Sequence, residues 1–118
     1  MTTERDVASA NQTLDWAHEV LGLGWTEVGR AVGADPRTID RWRRGRSAPA
    51  SEHWERIHDL RDLRFLLEVV LPDENARREW LRAPVPLLHG HSPISLIRAG
   101  RLEDVVGVLA GLESGAFA

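Results

Sequence analysis

Residues 35–46 read Asp35-Pro36-Arg37-Thr38-Ile39-Asp40-Arg41-Trp42-Arg43-Arg44-Gly45-Arg46, a run that specifies one short helix with defined ends. Asp35 carries the side-chain acceptor favoured at a helix N-cap, and Pro36 suits the first helical position, where its missing N–H is not needed. Gly45 suits the left-handed residue that closes a helix. At about 100° per residue, Ile39 and Trp42 share one face, and Arg37, Arg41 and Arg44 share the opposite one. The apolar stripe anchors the helix to a core. The other face presents guanidinium groups that can fork onto guanine edges or phosphates.

The preceding residues build a second short helix around Val28 and the Ala31-Val32 pair, with Thr26 as its expected cap. Gly33-Ala34 then turns the chain tightly into Asp35. Two short helices joined by a glycine-containing turn are the sequence form of a helix-turn-helix, whose second helix enters the DNA major groove with its N-terminal residues near base edges. Arg37, Thr38, Arg41, Arg44 and Arg46 are therefore the expected DNA-contacting residues. The competing reading is a helical hairpin with a solvated arginine face. Charge distribution favours DNA. Residues 36–47 hold five Arg and one Asp, a net +4 within a chain of −3, so the remainder carries −7. A positive field confined to one element of an acidic protein is a specific cue. So small a patch grips DNA weakly, and a homodimer offering two half-sites about one DNA turn apart is the expected remedy.

Every other patterned segment also reads helical, so the expected class is all-α. Residues 1–11 are expected to be a flexible tail, 12–50 the helix-turn-helix lobe, and 51–118 a second helical lobe. Leu14, Ala17 and Leu21 recur at helical spacing before Gly22-Leu23-Gly24 interrupts them. A long helix is expected from Ser51 to Leu71, with Trp54, Ile57, Leu60, Leu63, Leu67 and Val70 at three- and four-residue steps. From Phe65 onward its apolar stripe widens to include Leu66, Val69 and Leu71, which suggests burial by another chain as well as by its own core. Pro72 stops that helix, Asp73 can cap the next one to Leu81, and residues 84–88 read as an extended connector. Ser92-Pro93 opens a short helix closed by Gly100, and a last helix is expected over Leu102 to Glu113. Trp42 and Trp54 read as core; Trp16, Trp25 and Trp80 read as core or interface. Phe117 suits either folding back onto its own helix or entering a partner.

The C-terminal pattern His91-Ser92-Pro93-Ile94-Ser95-Leu96-Ile97, then Gly100-Arg101-Leu102-Glu103-Asp104-Val105, Leu109 and Gly115-Ala116-Phe117-Ala118, resembles the toxin-binding domain of Xre/MbcA/ParS-type antitoxins. Trp80-Leu81-Arg82-Ala83-Pro84 resembles the stretch before it, and the N-terminal half resembles the helix-turn-helix joined to it. The loop Leu87-Leu88-His89-Gly90-His91 departs from the Gly-rich stretch many members have there. The resemblance implies an antitoxin of a bacterial type II toxin–antitoxin module. Its implied partner is a RES-domain toxin that consumes NAD or transfers from it, occluded by the antitoxin's C-terminal tail, and operator DNA is the implied second ligand. The implied toxin-binding residues are Leu96, Ile97, Arg98, Arg101, Gly115, Phe117 and Ala118. A homodimer within a hetero-oligomeric complex is the implied assembly.

Chemistry of other kinds finds little footing. Cysteine is absent, which removes disulfides, thiolates and sulfur metal ligands. His89 and His91 flank a glycine but have no carboxylate cluster beside them, so loop histidines are favoured over a metal site. Ser92 and Ser95 have no base placed to activate them. No activated nucleophile, phosphate loop or catalytic carboxylate pair can be assembled, so neither an enzyme nor a cofactor is expected. No apolar run approaches membrane length and no signal peptide opens the sequence, so the cytoplasm is the expected location. The alternative function is a stand-alone helix-turn-helix regulator whose C-terminal half only dimerises.

Overall fold

A computed structural model describes residues 4–117, and every regular element among them is helical. The order is α1 (Glu4–Glu19), α2 (Trp25–Val32), α3 (Pro36–Arg43), α4 (Ser51–Val70), α5 (Glu74–Arg82), a 3₁₀ turn (Pro86–Leu88), α6 (Pro93–Arg98) and α7 (Leu102–Ser114). Their apolar faces meet in one continuous core running from Ala10 to Leu109. Helix α4 is its spine: Ile57, Leu60, Leu63 and Leu67 are all buried along one side. Helices α1 and α2 pack on it from the N-terminal half and α7 from the C-terminal half.

Most caps form as the local chemistry requires. The Asp35 carboxylate accepts from the Thr38 N–H at 2.8 Å, and the Asp73 carboxylate accepts from Ala76 at 2.9 Å. Pro36 and Pro93 occupy the first turns of α3 and α6. Gly33, at φ 74°, makes the left-handed turn between α2 and α3. A second glycine is required inside α2. A Cβ at Gly29 would overlap the Ala34 carbonyl oxygen, so only glycine lets the turn close this tightly onto α2. The Ala34 N–H in turn donates to the Gly29 carbonyl at 2.8 Å.

Three sequence expectations are corrected. The tail expected over residues 1–11 is helical from Glu4, with Met1–Thr3 outside the described residues. Ala10 is buried in the core and Asn11 Nδ2 donates to the Trp42 carbonyl at 3.1 Å, tying this segment to the end of α3. Thr26 does not cap α2. Gly24 is the N-cap, and the Glu27 carboxylate reaches back to accept its N–H at 2.9 Å, which leaves Thr26 inside the first turn. The connector at 84–88 is not extended throughout: Pro86–Leu88 form a 3₁₀ turn because Leu88 is drawn into the core. His89 then takes φ 57°, the one positive φ outside glycine among the described residues, and the His89 and Gly90 N–H groups donate back to Pro86 and Val85. Trp54 is partly rather than fully buried; Trp42 is 2 % exposed, as a core anchor should be.

Candidate functional site

Two surfaces carry chemistry. The first is the outer face of α3. Ile39 and Trp42 are buried, and a T-shaped contact with His53 on α4 fixes the Trp42 ring, with centroids 5.0 Å apart. The His53 Nδ1–H donates to the Val32 carbonyl at 3.3 Å, so one α4 side chain steadies the ends of α2 and α3 together. That anchoring turns Arg37, Arg41, Arg44 and Arg46 outward, and all four are exposed. They are not equivalent. The Arg44 Nε donates to the Asp40 carboxylate at 3.0 Å, which fastens it along its own helix. Arg37, Arg41 and Arg46 have no ion pair among the described residues. Arg43 turns away from this row. Its guanidinium lies 4.0 Å over the Trp25 ring and 3.7 Å from Asp15, holding α3 to α1 and α2.

The tip of α3 is neutralised internally. The Thr38 N–H, its hydroxyl and then the charges of Arg37 and Arg41 hold the Asp35 carboxyl below the ordinary carboxylate range. A phosphate approaching α3 therefore meets guanidinium side chains rather than a bare helix N-terminus. Thr38 is half-buried and its backbone N–H is used by the cap, which leaves only its side chain for a ligand. The arrangement can fork one or two guanidiniums onto guanine edges or phosphates.

The second surface lies on the C-terminal half, and the expected toxin-binding residues divide over it. Ile97 is fully buried, which corrects its reading as a toxin contact, whereas Leu96, 7 % exposed, belongs mainly to the chain's own core but keeps an edge on a cavity. A helix this short must spend its apolar face on α5 and α7 before a partner can use it. Arg98 is half-exposed and pairs with Glu27 at 3.4 Å, bridging the two halves of the molecule. Arg101 pairs with Asp104 at 2.8 Å at the start of α7. Leu96 and Arg101 share the wall of an open cavity of about 290 Å³ with Leu87, His89, His91 and Asp104. Gly115 and Phe117 sit at the other end of α7, about 20 Å away at 1.5 Å rise per residue. There Gly115 adopts φ 78° and Phe117 folds back, its ring occupying the space a Cβ on Gly111 would need. Phe117 is still 51 % exposed. Ala118 lies outside the described residues.

Leu87, His89 and Asp104 join this surface without having been expected there. The sequence marks the Leu87–His91 loop as unusual but not what it meets, because the 3₁₀ turn that sets Leu87 and His89 beside Asp104 on α7 depends on burial of Leu88. Six large hydrophobics stay exposed among the described residues: Val20, Phe65, Val69, Leu87, Leu112 and Phe117. Five of the six fall between residues 65 and 117. No three His, Asp or Glu side chains among the described residues form a metal-binding group, and no helix is long and apolar enough to cross a membrane.

Comparison with known proteins concentrates on the same region. Residues 66–115 match the family model described as the antitoxin Xre/MbcA/ParS C-terminal toxin-binding domain. The mycobacterial cidal antitoxin MbcA of Mycobacterium bovis is 33 % identical over 105 residues, 89 % of this chain and 92 % of that protein. The protein of the same name from Mycobacterium tuberculosis matches to the same extent. A chain of the crystal structure of the M. tuberculosis MbcT–MbcA toxin–antitoxin complex superposes with a TM-score of 0.55. It shares 31 % identity, over 91 % of this chain and 96 % of that one.

Proposed function

The chain belongs to the Xre/MbcA/ParS-type antitoxins, and from that premise we propose that it neutralises a RES-domain toxin by direct binding and represses its own operon through α3. An antitoxin acts by occupancy rather than by turnover. The toxin contact is assigned to the C-terminal half: the cavity at Leu96 and Arg101, the exposed Arg98, and the end of α7 with Gly115, Phe117 and Ala118. The tail enters the toxin's NAD pocket and excludes the dinucleotide. The RES identity and the NAD chemistry rest on the resemblance of the C-terminal pattern. The relative solved in complex is itself named with its toxin, MbcT, which supports a protein partner for this chain too.

The observation that carries this reading is the coincidence of exposure and family region. The N-terminal half buries nearly all its large apolar side chains, whereas the residues matching the toxin-binding domain and their flanks leave Phe65, Val69, Leu87, Leu112 and Phe117 in water. Exposed apolar side chains concentrated in one region mark a partner surface. On α3, Arg37 and Arg41 are assigned to base edges, Thr38 and Arg44 to support, and Arg46 to phosphate.

Co-expression with the product of the adjacent gene tests the toxin arm. The full chain restores growth, and the chain lacking Glu113–Ala118 does not, although it still shifts a promoter fragment. A full chain that neither restores growth nor co-purifies with that product overturns the antitoxin reading for this pair. For the DNA arm, Arg41→Ala costs about 1–3 kcal/mol in operator binding. Unchanged operator affinity in the Arg37/Arg41/Arg44 triple alanine variant removes α3 from the interface.

A further inference from the structure

Asp40 is the one acidic residue within α3. The other carboxylate at this helix, Asp35, is spent at its tip on the Thr38 N–H. With Ile39 set at 0° and about 100° per residue, Trp42 falls at about −60°, so the core lies near −30° and the outward direction near 150°. Arg44, Arg37 and Arg41 stand at about 140°, 160° and 200°, and Asp40 at about 100°, on the flank of the same arc. Along the axis Asp40 lies between Arg37 and Arg41, roughly 4.5 Å after the first and 1.5 Å before the second. A groove that receives both arginines therefore receives Asp40 as well. Asp40 is exposed, and among the described residues its ion pair is with Arg44 alone. Arg44 Nε donates to Oδ1 at 3.0 Å and lies 2.9 Å from Oδ2. Nε carries a single hydrogen, and a carboxylate offers about four lone-pair sites, so most of the acceptor capacity of Asp40 stays open.

Resting on the reading that α3 enters the DNA major groove, we propose that Asp40 is a base-reading residue that selects cytosine. In that groove only cytosine N4 and adenine N6 offer donors, whereas guanine N7 and O6 and thymine O4 are acceptors, which a carboxylate repels. Adenine sets its N7 acceptor beside N6. Cytosine presents its amino group with no acceptor next to it on the same base, so cytosine suits an acceptor-only side chain. Arg44 makes the contact tolerable. A lone carboxylate brought between two phosphate chains meets like charge on both sides, and a guanidinium 2.9 Å away cancels that charge without filling the lone pairs. The pair does little for the fold itself, because an exposed bridge between residues four apart adds little stability. Arg37 and Arg41, without ion pairs of their own, are left for guanines. Helix α3 thus carries one acceptor beside two donor forks, and this mixture can tell C·G from G·C where a row of arginines alone reads only guanine.

Selection by the full chain from a library of DNA duplexes carrying roughly 20 random base pairs, the span of two half-sites, tests this when the bound pool is sequenced. The wild-type chain should fix guanines through Arg37 and Arg41 and, beside them, one cytosine. Asp40→Ala should keep the guanines and lose that cytosine. Asp40→Asn should shift the preference there toward adenine, whose N6 and N7 suit a carboxamide. On the selected duplex, exchanging the C·G pair should weaken the wild type about tenfold and Asp40→Ala less than about twofold, both at one fixed salt concentration. Arg44→Ala should weaken binding to all duplexes alike and keep the cytosine. Asp40→Ala should also bind unselected duplex several-fold tighter, because a charge that phosphate repels is gone and Arg44 is released. Helicity should be unchanged in each variant, since Asp40 and Arg44 are both exposed. An Asp40→Ala pool that retains every wild-type preference overturns the proposal and leaves α3 in the groove. If Asp40→Ala and Arg44→Ala lose the same position, Asp40 only holds Arg44 and the reading of cytosine falls. A wild-type chain that enriches no sequence removes α3 from DNA and this proposal with it, while the toxin arm stands.

Discussion

Replacing Gly111 with alanine gives opposite answers depending on whether the tail is docked. Gly111 lies inside α7, where Gly→Ala ordinarily gains about 0.5–1 kcal/mol of helix stability. Here the position is occupied from outside. Gly115 closes the helix in the left-handed region, the Ala116 N–H donates to the Gly111 carbonyl at 2.9 Å, and the Phe117 ring rests where a Cβ would stand. Phe117 hides 49 % of its surface, or about 100 Å², which at about 25 cal/mol/Å² is roughly 2.5 kcal/mol. Fixing the tail backbone and the ring returns about 1–2 kcal/mol of that in entropy. The docked tail is therefore held by about 1 kcal/mol. Gly111→Ala expels the ring, loses that amount, and shows almost no net change in urea unfolding followed by far-UV circular dichroism. In a Phe117→Ala background nothing remains to expel, and the same substitution yields its full gain. The coupling energy of the cycle is then about 1 kcal/mol. Toxin binding moves the other way: a chain with no tail to undock binds about fivefold tighter. Equal effects of Gly111→Ala in the two backgrounds, within about 0.3 kcal/mol, would refute the docked tail.

Gly29→Ala drives a methyl group into the Ala34 carbonyl and should cost about 1–3 kcal/mol, read as a lowered melting temperature; an unchanged value would show that the α2–α3 turn yields freely. Asp59 has its carboxyl pushed above the ordinary range by burial first, then by Asp62 and Glu103. A raised carboxyl favours the folded state fully below its unfolded pKa and loses that contribution as pH rises through the folded value, so Asp59→Asn should stabilise the chain at neutral pH and lose its advantage below about pH 4. A Tm difference from wild type that is flat between pH 3 and 7 would contradict this. Glu27→Gln keeps the acceptor for the Gly24 N–H but removes the charge facing Arg98, and should cost less than about 1 kcal/mol, with the loss absent in an Arg98→Ala background. A Glu27→Gln loss of the same size in both backgrounds would show that the bridge contributes nothing.

What could be read from the sequence was what neighbouring residues decide among themselves. Asp35-Pro36, Asp73 and Ser92-Pro93 carry cap and first-turn chemistry within four residues, and α3, α5 and α6 begin where those signals place them. The apolar steps of α4 are long and regular enough to show both the buried side and the widening at Phe65. Features that depend on distant packing could not be read. Residues 4–11 are polar and carry no cap signal, yet they are helical because Ala10 is received into the core and Asn11 reaches Trp42 across 31 positions. Thr26 loses the cap of α2 to a carboxylate three residues along, a competition that composition does not rank. Ile97 was carried over as a contact by the family resemblance alone, and a motif does not tell whether an apolar side chain serves its own core or a partner's. Arg44 looked equivalent to Arg41 until Asp40 was found to engage it.

The same distinction bears on how one small chain can hold two ligands. The seam between the expected lobes at residues 50 and 51 is not a gap in packing, because α4 begins there and carries α2 on one stretch and α7 on the next. His53 ties the start of α4 to α2, Glu27 ties α2 to Arg98 on α6, and a Cβ at Gly100 would stand 3.3 Å from the Arg30 carbonyl. Both halves bury their apolar faces on the same helix, so they share one spine. Function is then separated by exposure. Side chains that point at the spine hold the fold, whatever family motif they belong to. The side chains left free to meet partners are those pointing away from it: the guanidiniums of α3, the exposed face of α4 at Phe65, and the rim and tail of α7. A substitution that changes partner choice without loss of stability is therefore expected on those three faces and not at Ile97, even though Ile97 stands in the middle of the motif.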